Sequence, residues 1–129
     1  MANSTIFANW GSHLLEYRNG QVEFFEIQQH RISKLVWKAN WASNWTHLLP
    51  FRWQHKKYLL SYKKSNGQAA LNEVLNEGCS EGCSLEWRAG WEKMVIYYEG
   101  DQPRLLSTRA GEASVDILTG HSVINIAHT

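Results

Sequence analysis

The sequence predicts an all-β fold built from three four-stranded repeats, each of about 45 residues. Residues 13–27, 58–74 and 104–118 align on a Leu-Leu pair followed by a glycine. Turn-forming residues recur about every 8–12 positions, as in antiparallel sandwiches, barrels and propellers, and long helical periodicity is absent. We therefore expect one all-β repeat domain over residues 1–129, with units at approximately 1–38, 39–87 and 88–129.

The first two predicted strands of each unit are apolar. The first strand carries an aromatic residue, at Phe7, Phe51 and Tyr97, and the second carries the Leu-Leu pair. An Asn-Gly dipeptide follows the second strand in the first two units. Asn-Gly is a strong hairpin signal because both turn positions tolerate positive φ. The second and third strands of each unit are therefore predicted to form a hairpin.

Each unit closes with a short apolar fourth strand, "KLVW", "SLEW" or "VINI", which aligns Trp37 with Trp87. Trp37, Trp41 and Trp45 are four apart, a spacing that fits one face of a helix and equally one face of a strand. The stretch "WKANWASNW" is repeated in part as "WRAGW", where a central glycine would cost a helix about 1 kcal/mol relative to alanine. These tryptophans are therefore predicted to lie at junctions between units.

Three such units can be arranged in two ways. They can form a monomeric β-trefoil, or they can be blades of a β-propeller. Known propellers have about four to eight blades, so three blades would require a second chain. We favour propeller-like blades completed by oligomerisation, as a homodimer, and keep the monomeric β-trefoil as the alternative.

The tryptophan spacing adds a family resemblance. Trp45 precedes Phe51 by six residues, Trp91 precedes Tyr97 by six, and "LLSY" and Asn-Gly follow in the second unit. This pattern resembles the repeats of tachylectin-type and tectonin-type β-propeller lectins, in which a Gly-Trp begins an aromatic strand and a short hairpin strand follows. The first unit departs from the pattern because Met1 stands at the place of the tryptophan. The resemblance implies blades with sugar sites at their junctions.

The composition suits carbohydrate binding, since seven Trp and five Tyr accompany many Asn and Gln residues. An aromatic ring packs on the apolar side of a pyranose, while amide and carboxylate groups bind its hydroxyls. The candidate ligand-binding residues lie at the junctions or directly after the turn glycines: Trp41, Asn44, Trp45, Trp87, Trp91, Gln21, Gln68 and Glu112. We expect a lectin-like protein with a carbohydrate or glycoprotein ligand. The alternatives are a non-catalytic protein-binding or structural repeat module, whose tryptophans only pack, and a small enzyme.

Other function classes have less support. The net charge of +1 and the lack of a long basic run argue against nucleic-acid binding. The histidines form no His-x-His or His-Glu-x-x-His pattern, and no Gly-x-Ser-x-Gly elbow is present. We therefore assign no catalytic residue, no metal ligand and no cofactor, and expect a protein that is not an enzyme.

The N-terminal residues and the two cysteines bear on the cellular compartment. The start of the chain lacks the charged and apolar segments of a secretory signal, and no window approaches the roughly 18 apolar residues of a membrane span. We therefore expect a protein that is cytoplasmic or released without a signal peptide. Because a zinc site needs about four ligands, Cys79 and Cys83 are interpreted as either a local disulfide or two unreactive thiols.

Overall fold

The described residues of the computed structural model, 5–80 and 82–129, form three antiparallel sheets, one for each predicted unit. Met1, the predicted counterpart of Trp45, lies outside these residues. Sheet 1 contains β1 (Thr5–Asn9), β2 (His13–Arg18), β3 (Gln21–Gln28) and β4 (Arg31–Asn40). Sheet 2 contains β5 (His47–Trp53), β6 (Lys56–Tyr62), β7 (Gln68–Leu75), β8 (Gly78–Cys79) and β9 (Cys83–Glu86). Sheet 3 contains β10 (Lys93–Glu99), β11 (Gln102–Arg109), β12 (Glu112–Leu118) and β13 (Val123–His128).

The strand pairing confirms the all-β repeat architecture. Within each sheet, every strand pairs with its neighbour in sequence, except that the short β8 and β9 both pair with β7. Among the described residues, no backbone ladder joins a strand of one sheet to a strand of another. Because the closed barrel of a β-trefoil requires ladders between units, the arrangement is that of separate blade-like sheets. No helix in the described part of the chain is long and apolar enough to cross a membrane.

The Leu-Leu pair explains how the sheets stack. Successive side chains of a strand point to opposite faces, so an apolar pair on a central strand supplies both faces. In sheet 2, Leu59 packs in the core shared with sheet 1, and Leu60 packs in the core shared with sheet 3. Leu15 and Leu105 contribute to the same two cores from sheets 1 and 3. Sheet 2 is therefore the middle layer and is covered on both faces.

The predicted hairpins between the second and third strands form in two different ways. At the first, Asn19 and Gly20 both have positive φ, as the Asn-Gly signal predicts. At the second, Gly67 alone has positive φ, and Gly67 N donates to Lys63 O across a longer turn. The Asn66 side chain accepts a hydrogen bond from the amide of residue 68, so this asparagine stabilises the turn through its side chain.

The predicted equivalence of Phe7 with Phe51 and Tyr97 is wrong. Phe51 and Tyr97 lie opposite the residue that precedes the Leu-Leu pair, whereas Phe7 lies opposite the residue that follows it. The β1–β2 hairpin turns closer to the Leu-Leu pair than its counterparts do: the Trp10 N–H donates to His13 O, so Trp10 lies opposite the residue that precedes the pair. Trp10 therefore takes the aromatic place in sheet 1, where it is buried, while Phe7 is exposed on the opposite face.

Candidate functional site

The two junctions between sheets have the same local structure. The amide of Trp41 donates to Gly20 O at 2.6 Å, and the amide of Trp87 donates to Gly67 O at 2.8 Å. Trp41 is therefore the structural counterpart of Trp87, and the predicted alignment of Trp87 with Trp37 is wrong. The ring of Trp37 instead packs on Phe24, with ring centroids 5.0 Å apart.

A tyrosine hydroxyl anchors each junction loop to the sheet that precedes it. The hydroxyl donates to a loop carbonyl and accepts from the amide of the second tryptophan: Tyr17 with Ala42 and Trp45, and Tyr62 with Arg88 and Trp91. Both tyrosines are buried, so each hydroxyl satisfies polar backbone groups inside the fold. The recurring bonds fix the position of each Trp-x-x-x-Trp segment.

The second tryptophan of each junction is covered by a basic side chain. Lys63 Nζ lies 4.9 Å from the ring centroid of Trp45, and Arg109 Cζ lies 5.3 Å from that of Trp91. These distances fit cation–π contacts. Trp91 is 6% exposed, and His128 meets its ring edge-on. Trp91 is therefore part of the packing between sheets 2 and 3 and has little surface for a ligand.

A polar cleft of about 220 Å³ opens between the second junction loop and sheet 3. We call it the junction cleft, and its lining consists of two tryptophans, one arginine, one valine and four polar strand residues: Trp87, Trp91, Arg88, Val123, Ser107, Ser114, Asp116 and Asn125. Trp87 is half-buried and contributes the accessible aromatic wall. The cleft thus combines an aromatic side chain with several hydrogen-bonding groups.

The floor of the junction cleft is held by hydrogen bonds around Asn125. Its side-chain amide donates to Ser114 Oγ at 2.8 Å and to Asp116 Oδ1 at 3.1 Å. Ser107 and Ser114 are buried. Burial raises the pKa of the Asp116 carboxyl above its ordinary value, and the Asn125 hydrogen bond acts in the opposite direction. The floor therefore contains a partly desolvated carboxylate with a fixed orientation.

Charged side chains lie beside the cleft. Glu112 accepts hydrogen bonds from Arg109 Nε at 2.7 Å and from Arg88 Nη1 at 2.5 Å. The bond from Arg109, followed by that from Arg88, lowers the pKa of Glu112. His128 Nε2 lies 3.6 Å from the same carboxylate. Since Arg88 lines the cleft, the Glu112 carboxylate orients a residue of the cleft wall.

The other predicted ligand-binding residues lie elsewhere. Trp41 and Trp45 are half-buried against the core between sheets 1 and 2, and Asn44 is exposed. Gln21 and Gln68 are exposed at the starts of β3 and β7, in sheets 1 and 2. Trp87, Trp91 and Glu112 are thus brought together around the second junction, and the remaining five do not join them in one site. The binding roles of all eight residues stay predictions.

Sequence reasoning missed the polar floor of the cleft. Glu112, Ser114 and Asp116 alternate along β12, and this period of two is a signal that they share a face. Asn125 had no such signal, because the β12–β13 register shifts between Val115 and Asp116. The shift places Asn125 opposite Asp116. Pairing geometry, rather than local pattern, therefore completes the site.

A second, wider depression of about 770 Å³ lies between the β5–β6 and β10–β11 hairpins. We call it the hairpin groove, and Trp53, Tyr98 and Asp101 are among its lining residues. Tyr98 and Asp101 are exposed, and the Tyr98 hydroxyl already accepts a hydrogen bond from the Arg52 amide at 2.8 Å. The junction cleft is the stronger candidate because its serines are buried and its carboxylate is partly desolvated. Within residues 5–80 and 82–129, no three His, Cys, Asp or Glu side chains are grouped as metal ligands.

Cys79 and Cys83 are free thiols, so the local disulfide considered from the sequence is not formed. Burial raises the pKa of Cys79 to about 12, so its thiol is protonated at neutral pH. In a Cys83→Ser variant, we expect Cys79 to react with iodoacetamide at pH 8 at least about 100-fold more slowly than a small free thiol. Mass spectrometry of timed samples would measure the rate, and the urea-unfolded variant is the control. A native rate equal to the unfolded rate would contradict the burial of this thiol.

Comparison with known proteins adds no family assignment. No protein-family model matches the chain, and no curated protein matches it. The function is therefore inferred from the geometry of the chain itself.

Proposed function

We propose that this protein is a lectin-like binding protein that takes a carbohydrate or glycoprotein ligand in the junction cleft. The supporting observation is the half-buried ring of Trp87 beside the partly buried carboxylate of Asp116. A pyranose presents an apolar face and a ring of hydroxyls, and these two side chains provide the matching surfaces. The cleft is small, which fits one terminal sugar residue better than a long oligosaccharide.

The polar floor supplies directional contacts. An ionised Asp116 carboxylate accepts hydrogen bonds from two sugar hydroxyls, and bonds to a charged group contribute about 1.5–3 kcal/mol each. Asn125 holds Oδ1 of this carboxylate, so its orientation is set before the ligand arrives. Arg88 adds a donor at the wall, with its guanidinium held by Glu112. Preorganised groups lower the entropic cost of binding.

This proposal can be tested by changing the aromatic wall and the floor separately. A glycan array first identifies a sugar that a free competitor displaces. We then expect Trp87→Ala and Asp116→Asn each to weaken binding of that sugar by about 10- to 100-fold, because each removes one of the two recognition surfaces. Isothermal titration calorimetry would measure the dissociation constants, and circular dichroism would confirm that each variant is folded.

Asp101→Asn is the matched control, since Asp101 is the other aspartate of the chain and lies in the hairpin groove. Its affinity should equal that of the unaltered protein. If Asp101→Asn weakens binding while Asp116→Asn does not, the ligand site is the hairpin groove. If no sugar on the array binds, the lectin proposal fails and the non-catalytic protein-binding module becomes the better description. Exposed apolar side chains on sheets 1 and 3 favour that second candidate.

A further inference from the structure

The two outer sheets each leave one face uncovered. Sheet 2 lies between the other two, and its Leu59 and Leu60 are both buried. Among the described residues, sheet 1 packs against sheet 2 and sheet 3 packs against sheet 2, but sheets 1 and 3 do not touch. The outer face of sheet 1 and the outer face of sheet 3, called here the end faces, therefore have no partner sheet within residues 5–80 and 82–129.

The end face of sheet 3 has the apolar pattern of a packed face. Val95, Leu106 and Val115 lie side by side across three strands. Tyr97 occupies the place that Phe51 has in sheet 2, yet Phe51 is buried against sheet 3 and Tyr97 is 37% exposed. Val95 is 52% exposed. This face thus carries side chains at the positions through which sheet 2 packs against sheet 3.

One polar atom on the same face also lacks a partner. Arg104 pairs with Tyr97 in the register, and its Nε is buried without a hydrogen bond to any described residue. Its Nη2 reaches Glu99 at 3.4 Å. Buried donors are nearly always satisfied in native proteins. Because the chain itself encloses this atom, an acceptor from outside residues 5–80 and 82–129 reaches it only if the Arg104 side chain turns outward.

The end face of sheet 1 has the complementary pattern. Leu14, Phe25 and Leu35 lie side by side across β2, β3 and β4. Phe7 occupies the place that Leu48 has in sheet 2, where Leu48 is buried against sheet 1, but Phe7 is 58% exposed. The equivalent face of sheet 2 packs on sheet 1, and the equivalent face of sheet 3 packs on sheet 2.

We propose that a second copy of this chain covers both end faces, with sheet 3 of each copy packed on sheet 1 of the other. The contact would repeat the packing already present between sheets 1 and 2 and between sheets 2 and 3. Such head-to-tail contacts close when the rotation per unit allows it, and two copies supply six sheets, within the four to eight of known propellers. The proposal concerns assembly and does not depend on sugar binding.

The charged residues of sheet 1 are compatible with this packing. Glu16, Glu23 and Lys38 form one row across the end face, and the row occupies the place of Ser107, Ser114 and His128 in sheet 3. In sheet 3 the two serines line the open junction cleft rather than the apolar core. The same row in sheet 1 borders a concavity of about 600 Å³ and places Glu23 opposite Lys38, so their opposite charges offset part of the cost of covering this row.

The test changes one residue on each end face. We expect the unaltered chain to sediment at twice its monomer mass at micromolar concentration. Phe7→Glu and Tyr97→Glu should each weaken dimerisation by at least roughly 100-fold, because each removes a packed ring from both interfaces of the closed dimer and places a charge there. Leu75→Glu is the control, since Leu75 is 38% exposed and lies on the middle sheet.

Mixing the two variants makes the test specific for head-to-tail contact. In a mixed dimer, the unaltered sheet 3 of the Phe7→Glu copy meets the unaltered sheet 1 of the Tyr97→Glu copy, so one intact interface returns. We expect dimers in the mixture and monomers in either variant alone, all with native circular dichroism. A monomeric unaltered chain would overturn the proposal. Dissociation by Leu75→Glu, or a mixture that stays monomeric, would also overturn it.

Discussion

Gly67→Ala is expected to destabilise the protein by about 3–5 kcal/mol, one of the two largest effects of a single substitution that we predict. Gly67 has a φ of +82°, which an L-residue adopts at a cost. A Cβ built on it would also lie 1.9 Å from Trp87 O, a backbone atom of the junction loop. The loop would have to move, and the bond from the Trp87 amide to Gly67 O would be lost or weakened. Urea denaturation followed by circular dichroism would measure the loss.

Gly111→Ala separates the two causes. Gly111 occupies the same place in sheet 3 and has a φ of +76°, but no described atom lies within 4 Å of the added Cβ. We therefore expect a loss of about 1–2 kcal/mol, from backbone strain alone. Equal losses of unfolding free energy for the two variants would contradict the 1.9 Å approach of Trp87 O to a Cβ at position 67.

Trp91→Ala is expected to cost about 3–5 kcal/mol of stability, because it removes a large buried ring from the packing between sheets 2 and 3. The substitution also removes the cation–π contact with the Arg109 guanidinium, whose Cζ lies 5.3 Å from the ring centroid. Trp45→Ala is the matched comparison, since Trp45 has the same place in the first junction but is half-buried. Its loss should be clearly smaller. Thermal and urea unfolding of the two variants would measure the difference.

The same variants distinguish packing from binding. If Trp91→Ala kept full stability and lost sugar affinity, Trp91 would be a ligand contact, as the sequence alone predicted. If stability falls and the folded fraction keeps its affinity, the ring is structural and Trp87 remains the aromatic wall. The 6% exposure of Trp91 leads us to expect the second outcome.

Local patterns were sufficient to predict the three sheets. The Leu-Leu pair, the turn glycine and the junction tryptophans each depend on residues close in sequence, and each recurs at a fixed place. The predicted equivalence of Phe7 with Phe51 and Tyr97 failed because the position of the first hairpin turn differs between units. The β1–β2 hairpin turns closer to the Leu-Leu pair than the other two hairpins do, which moves the aromatic place from Phe7 to Trp10, and the pattern of residue types gives no sign of that shift.

The candidate site was predictable only in part. Trp87, Trp91 and Glu112 stand at positions that recur between the units, so alignment of the repeats within the chain identified them. Asp116 and Asn125 meet through a register shift between two strands, and their contact with the junction loop depends on how sheet 3 packs on sheet 2. Such contacts join residues far apart in the chain. Likewise, the sequence did not show that the apolar residues of the end faces share one face of each sheet, because this depends on the pairing register.

The most direct measurement of the proposed function is a titration of the indole N–H resonances with the sugar found on the array. Seven tryptophans give seven such signals in a proton–nitrogen correlation spectrum, and single Trp→Phe variants assign them. We expect the Trp87 signal to shift saturably, while that of Trp10, whose Nε1–H donates to Tyr58 O inside the fold, stays in place. A sugar that binds without moving the Trp87 signal would contradict the junction cleft as the ligand site.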